Sequence, residues 1–367
     1  MAYLSRTLII YLARQYVLAF LVVLGAFLFV ILLADTIELL RRTATKDGVS
    51  LSVVFEMALL KLPFLGQQAF PFAGLFAAMA VFWRLSRSNE LVVIRAAGTS
   101  AWQFLLGPLA VAILFGVLQA TAISPLASAT LARFERIEAI SMHQRDDPLF
   151  ISGSGLWLRQ ASPEGQSVIH ASRVTQTDEI VELSQVIIFQ FDGPDRFARR
   201  IEATQARLEP GAWLMEGVWF FVPERPAQFL GSYRLPTDLT RSRIEDSFAS
   251  PETISFWRLP EFIRTLEAAG FAASSHRLHF QVMLAAPLLM AAMVLIAASV
   301  TMRHARRGGG FFVIVGGVAG GFVMYFVSDI VHALGLSDRA PVVLAAWTPS
   351  LAATLIGLAL ILHLEDG

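Results

Sequence analysis

The side chains best typed and spaced for chemistry in this chain are guanidiniums. Arg41 and Arg42 are adjacent, Arg133 and Arg136 stand three residues apart, and Arg277 opens a long apolar run. A guanidinium presents a planar fork of donors that fits a phosphate or carboxylate through two parallel hydrogen bonds. Such a group binds anions and does not cleave bonds. Arg133 and Arg136 can equally form a solvated helix face with Glu135 and Glu138. Arginine also outnumbers lysine 27 to 2, which genomic GC bias explains better than phosphate binding does, although arginine would also suit bidentate phosphate contacts. His276 and His279 share a helical face at i, i+3, but they lack carboxylate partners, so no metal site is expected. The motifs G-x-x-x-x-G-K-[ST], G-x-S-x-G and H-E-x-x-H are absent, and Gly153-Ser154-Gly155 reads as a turn. With no cysteine, disulfides, Cys-zinc sites, iron–sulfur clusters and thiol catalysis are excluded. The expectation is a chain with no catalytic residue and no cofactor of its own.

Two further constellations are mechanical. The segment Arg84 to Gly98 (RLSRSNELVVIRAAG) is too polar at its ends to span a membrane. Ser88 or Asn89 can start a short helix there, and Gly98 can end it in the left-handed region. Such a helix between two membrane crossings is how ABC-type permeases dock into their ATPase subunits, and a plain interfacial connector fits the spacing equally. Gly316, Gly317, Gly320 and Gly321 form two overlapping G-x-x-x-G patterns, which let helices approach closely.

The elements that must position these residues are membrane helices. Mean hydropathy is +0.60 and only 16% of residues are charged, against about 25% in soluble domains. Residues 151–250 hold 23 of the charged side chains, so the rest of the chain is poorer still. Six stretches free of Asp, Glu, Lys and Arg reach the roughly 20 residues a bilayer requires: Gln15–Ala34, Leu62–Trp83, Ala96–Ala132, Leu278–Met302, Gly308–Ser328 and Ala340–Leu364. Pro63 and Pro71 predict a bent second helix, and Ser124-Pro125 a kink or exit in the third. Residues 2–15 read as a short amphipathic helix in the interface. Arg6, Arg14, Arg84, Arg87, Arg95, Arg303, Arg306 and Arg307 collect on one side, which predicts cytoplasmic termini. Arg41, Arg42, Arg133, Arg136 and Arg277 then fall together near the opposite surface.

Between the third and fourth spans, residues 145–255 show short alternating runs separated by turn chemistry such as SPEGQ, FDGPD and EPGA. Six or more antiparallel strands are expected, as a sandwich or jelly roll. Trp157, Ile169, Ile187, Phe189, Trp219 and Phe221 are candidates for its inner face. Pro251 to Gly270 reads as a helix returning to the membrane. The expected class is an α+β membrane protein: residues 1–144 with an in-plane helix, three spans and the short helix, 145–255 as an external β-jelly roll, and 256–367 with a connecting helix and three more spans.

The run Ser88-Asn89-Glu90-Leu91-Val92-Val93-Ile94-Arg95-Ala96-Ala97-Gly98 resembles the coupling-helix signature of the lipopolysaccharide-export permeases LptF and LptG, the YjgP/YjgQ family. Phe70-Pro71-Phe72-Ala73-Gly74 and Glu38-Leu39-Leu40-Arg41-Arg42 resemble the same family. So do Arg277-Leu278-His279-Phe280-Gln281 and the terminal His363-Leu364-Glu365-Asp366-Gly367. The likeness covers the whole chain, is specific in combination, and is nearer to the LptG branch than to LptF. It implies a permease paired with an LptF-like paralogue, an LptB-like ATPase dimer that binds ATP and Mg, and an LptC-like single-span protein. Together they would move lipopolysaccharide from the inner membrane to a periplasmic bridge. It further implies that Glu90, Leu91, Val92, Ile94 and Arg95 meet the ATPase, and that Arg41, Arg42, Arg133, Arg136 and Arg277 meet lipid A phosphates. The four glycines would lie at a lateral gate, although ordinary packing within the chain explains them equally well, and Asp329 would face headgroups or the substrate cavity. The competing readings are the LptF paralogue, a lipoprotein-release or mechanotransmission permease (usually with four spans), and an ATP-independent scaffold.

Overall fold

The computed structural model describes residues 6–44, 50–96, 98, 100–138, 149–152, 155–162, 165–176, 181–192, 196–237, 249–268, 272–304, 310–337 and 340–366. Two compact units form. One holds residues 1–143, 252–257 and 274–367, and the other holds residues 144–251 and 258–273.

Among the described residues, six helices are long and apolar enough to cross a membrane. In a bilayer no water satisfies the backbone, so uninterrupted helices are the stable form for such segments. Helix α1 runs Arg6–Thr43, without the break expected near residue 15. No Gly or Pro interrupts its first turns, and Leu12 and Tyr16 are buried against neighbouring helices. Helix α2, Leu51–Arg87, carries both Pro63 and Pro71 in its interior. Next come α3, Glu90–Ala96, and α4, Ala101–Leu118. A π-helical segment at Gln119–Ile123 leads directly into α5, Ser124–Glu138. The irregularity expected at Ser124-Pro125 is therefore a π bulge inside one long helix rather than an exit. Pro125 has no N–H for the Thr121 carbonyl, and the Trp257 indole donates to that oxygen instead, at 3.0 Å. In the same way Pro71 leaves the Gln67 carbonyl free, and Gln119 Nε2 donates to it at 3.1 Å. After the sheet come a 3-10 turn, Pro251–Thr253, and α6, Leu259–Ala268. These replace the single helix expected from 251, and the expected stop at Gly270 lies outside the described residues. The last three spans are α7, Ser274–His304, α8, Gly310–Leu336, and α9, Val342–Asp366.

The main apolar core lies among α1, α2, α4, α7 and α9, and Phe20 stacks on Phe115 within it. Small residues set the spacing. A Cβ on Gly116 would lie 2.4 Å from the Cα of Pro287, and one on Gly107 would lie 2.5 Å from the Ile9 carbonyl oxygen. A second, smaller core joins Leu39 of α1, Val54, Met57 and Ala58 of α2, and Leu131 and Phe134 of α5.

The other unit is built on an antiparallel sheet of seven strands in simple sequence order. They are β1 Leu149–Ser152, β2 Gly155–Ser162, β3 Gly165–Gln176, β4 Val181–Asp192, β5 Arg196–Glu209, β6 Ala212–Phe221 and β7 Gln228–Pro236. Among the described residues this is a meander, without the crossover connections of a jelly roll. The connections are short, so each strand pairs with its chain neighbour. The sheet curls: Thr237 Oγ1, just past β7, donates to buried Gln160 Oε1 on β2 at 2.8 Å.

Burial alternates along β3, β4, β5 and β6 and then slips by one at a common level. Buried residues run Ile169, Ala171, then Val174 on β3; Leu183 then Val186 on β4; Ala203 then Ala206 on β5; and Met215 then Val218 on β6. The register offset is the same on both sides of that line. Gln185 (φ 52°) and Gly217 (φ 65°) sit on it. A left-handed residue turns the pleat by one position, so the apolar side stays inward across the crease. A Cβ on Gly217 would stand 2.5 Å from Thr204 Oγ1.

The candidates for the inner face need correction. Ile169 is buried, but Trp157 and Trp219 are 36% and 43% exposed, and Ile187, Phe189 and Phe221 are half-buried. Trp157, His170, Ile187, Glu202, Trp219 and Phe229 form one row across the opposite face. The inner face is made instead of smaller aliphatics such as Leu158, Ala171, Ile188 and Ile201, together with Trp213. Alternation identifies two faces without saying which is inside.

Candidate binding and coupling sites

Four of the five candidate arginines stand on helices of the smaller core. Glu38 accepts from Arg41 at 2.9 Å and from Arg42 at 2.8 Å, so one carboxylate holds both guanidiniums. The i, i+3 and i, i+4 spacing places all three on one face of the last turns of α1. Arg41 and Arg42 remain 77% and 53% exposed. Arg133 pairs with Glu56 of α2 at 2.6 Å, not with the neighbours on its own helix that the sequence suggested. Arg136 is exposed on the same helix. Arg277 lies in the first turn of α7, where Leu278 packs with Ala345 and Ala346 in a separate cluster. No described contact joins it to the other four.

The same three-helix cluster holds a pair that the sequence reading did not single out. Lys61 of α2 and Asp35 of α1 meet at 2.7 Å, 24% and 11% exposed. Lys61 also lies 5.4 Å from the ring centroid of Phe134. Its signal was available in one respect: Lys61 is one of two lysines and stands immediately before an apolar span. An ammonium there needs a carboxylate, because a charge taken from water without a partner is costly.

At the far end of α2, Ser88 caps the helix and Asn89 turns the chain at φ 59°; α3 follows, and Gly98 has φ 80°. Leu91 packs against the main core, whereas Val92 and Val93 are 62% and 68% exposed. Of the apolar candidates for a partner contact, Val92 points outward and Leu91 inward, and Val93 joins Val92 on the open face. The Arg95 side chain lies outside the described residues. Glu90 is held on both oxygens, by Tyr11 of α1 at 3.0 Å and by Ser88 at 2.9 Å. Tyr11 was missed because 79 residues separate it from Glu90.

The four glycines of α8 face this chain's own helices. A Cβ on Gly317 or Gly321 would meet Met79, or Phe72 and Leu75, on α2. One on Gly316 or Gly320 would meet Val300 or Ile296 on α7. Asp329 is exposed on α8 and lines a cavity of about 280 Å³ with Gln68, Ser328, His332 and Ser350. An adjoining cavity of about 320 Å³ is bordered by Gln67, Gln119, Ser124, Glu252 and His279. No cluster of His, Cys, Asp or Glu able to hold a metal occurs among the described residues. The arrangement as a whole offers exposed guanidiniums at one helix end, a short helix with two exposed valines at the other, and apolar surface between them.

Comparison with known proteins gives a consistent match. A family model described as "Lipopolysaccharide export system permease LptF/LptG" covers residues 10–363. Lipopolysaccharide export system permease protein LptG of Escherichia coli strain K12 is 28% identical over 321 residues, spanning 83% of this chain and 84% of that protein. The LptG of Escherichia coli O6:H1 matches to the same extent.

Proposed function

Because the chain belongs to the LptF/LptG family of lipopolysaccharide export permeases, we propose that it is the LptG-type subunit of an ATP-driven lipopolysaccharide exporter. Its membrane would be the bacterial inner membrane, with both termini cytoplasmic and the β-sheet unit periplasmic. An LptF-like permease would stand beside it, with an LptB-like ATPase dimer below and an LptC-like single-span protein alongside. ATP and Mg would bind only to the ATPase. Resemblance to two LptG proteins and the form Glu90-Leu91-Val92-Val93-x-Arg95-Ala96-Ala97-Gly98 favour LptG over LptF.

The observation that carries this reading is α3. It is too short to cross, it sits between two crossing helices, and its open face is apolar at Val92 and Val93. Two adjacent exposed valines on a helix too short to span would suit the groove of a partner. Helices α1 and α8 support the pairing with a second permease, since only 6% and 17% of their most apolar windows are buried within this chain. Lipopolysaccharide would enter between the two permeases, with its phosphates on Arg41, Arg42, Arg133 and Arg136. Exposing acyl chains to water costs about 0.8 kcal/mol per CH₂, so the route has to stay apolar while ATP-driven closure narrows it.

Purification from native membranes tests this directly. A paralogous permease and an ATPase should co-purify, and the complex should release lipopolysaccharide on addition of ATP. Glu90→Ala should abolish that release. Isolation of the chain with no ATPase, or unchanged release by the variant, would overturn the assignment.

A further inference from the structure

Glu90 is not free to act alone. Its two carboxylate oxygens are occupied from within the chain, one by the Tyr11 hydroxyl at 3.0 Å and one by Ser88 at 2.9 Å. One turn along α1 from Tyr11, Gln15 accepts from Arg84 Nη1 at 3.1 Å. Tyr11 and Gln15 are spaced i, i+4 and therefore share a face, so α1 presents two polar contacts to the segment that leads into α3. Behind them, Leu12, Tyr16 and Phe20 are fully buried, and α4 closes on the Ile9 carbonyl at Gly107, where a Cβ would be 2.5 Å away. From Leu21 to Glu38, by contrast, no residue of α1 is buried. Through that stretch Val23, Leu24 and Phe27 still pack on the main core and Asp35 pairs with Lys61, while Val22, Phe29, Val30 and Leu33 are exposed, so one side of the middle is open.

We propose that Tyr11, seconded by Gln15, is a positioning residue that ties α1 to the coupling segment, so that motion imposed on α3 is delivered along α1. This rests on the exporter reading above. A helix is stiff along its axis, and its hydrogen bonds transmit an axial push with little loss. A displacement entering at Glu90 thus reaches the exposed side of the middle of α1, where the second permease and the substrate would lie. Leu91, packed on the main core, keeps α3 seated while the contact pulls. The phenol O–H donates a hydrogen bond to the carboxylate, and hydrogen bonds to carboxylates are the stronger kind.

The test compares lipopolysaccharide released per ATP hydrolysed by the reconstituted complex carrying Tyr11→Phe, Gln15→Leu or both. Tyr11→Phe removes one oxygen and leaves the ring. ATP turnover should stay within about twofold, while release per ATP falls at least about fivefold. Gln15→Leu should lower the same ratio less, and the pair should lower it most. A merely structural role would reduce assembly and scale turnover and release together, leaving the ratio unchanged. An unchanged ratio in Tyr11→Phe and in the double variant therefore overturns the proposal. If the wild-type complex hydrolyses ATP without releasing lipopolysaccharide, it is the exporter reading that fails.

Discussion

Arg41 and Arg42 share one carboxylate, and that decides how they can serve a phosphate. Exposed ion pairs of this kind contribute little to stability, so a multiply charged phosphate can displace Glu38 without much loss. Glu38 is then a competitor for the ligand. Replacing both arginines with alanine should weaken lipopolysaccharide capture by about tenfold or more, since each charge-assisted bond contributes over 1 kcal/mol. Glu38→Gln should act in the opposite direction and strengthen capture. A photocrosslinking probe at Leu40, read as bound lipopolysaccharide per complex, distinguishes these outcomes. Equal capture by all variants would remove these arginines from the substrate path. Lys61 behaves differently: it is engaged with Asp35 and largely covered, so its charge belongs first to the packing of α1 on α2.

At the scale of elements, close backbone approach governs the helical unit. Gly116 lies against Pro287, where a methyl group would be 2.4 Å from a backbone atom that cannot move aside. Gly116→Ala should therefore destabilise the protein by about 1–3 kcal/mol through overpacking, seen as a lower melting temperature in detergent. Gly25→Ala is the control, because nothing lies within 4 Å of its missing Cβ; it should leave the melting temperature unchanged. Equal behaviour of the two variants would mean that α4 and α7 do not meet as described. The glycines of α8 belong to the same logic, since each faces a helix of its own chain.

For the whole molecule the question is which side of the membrane each end occupies. Because the chain contains no cysteine, single cysteines report accessibility cleanly. A cysteine at Ser88 should react with an impermeant maleimide only after the inner membrane is opened. One at Gly211, in the turn between β5 and β6, should react from the periplasm once the outer membrane is permeabilised. Reversed labelling would invert the topology and move Arg41 and Arg42 to the cytoplasmic side. An even number of crossings returns the chain to the side where it began, so Ser88 and both termini should label alike.

Much of this was legible locally. Length and apolarity of the six spans, the insertion of strands between the third and fourth, and the absence of catalytic motifs are properties of contiguous residues, and contiguous residues show them. Hydropathy is a sum over neighbours, and a span needs nothing else to be recognised. What the tertiary structure decided are the relations between distant residues. It chose which face of each strand is enclosed, putting Trp157 and Trp219 outward and Trp213 inward. It matched Arg133 to Glu56, Lys61 to Asp35 and Tyr11 to Glu90. The physical reason is that the bilayer and the backbone impose helix and strand on each segment independently. A side chain's partner depends instead on how those rigid pieces come together, and packing sets that across the chain as a whole.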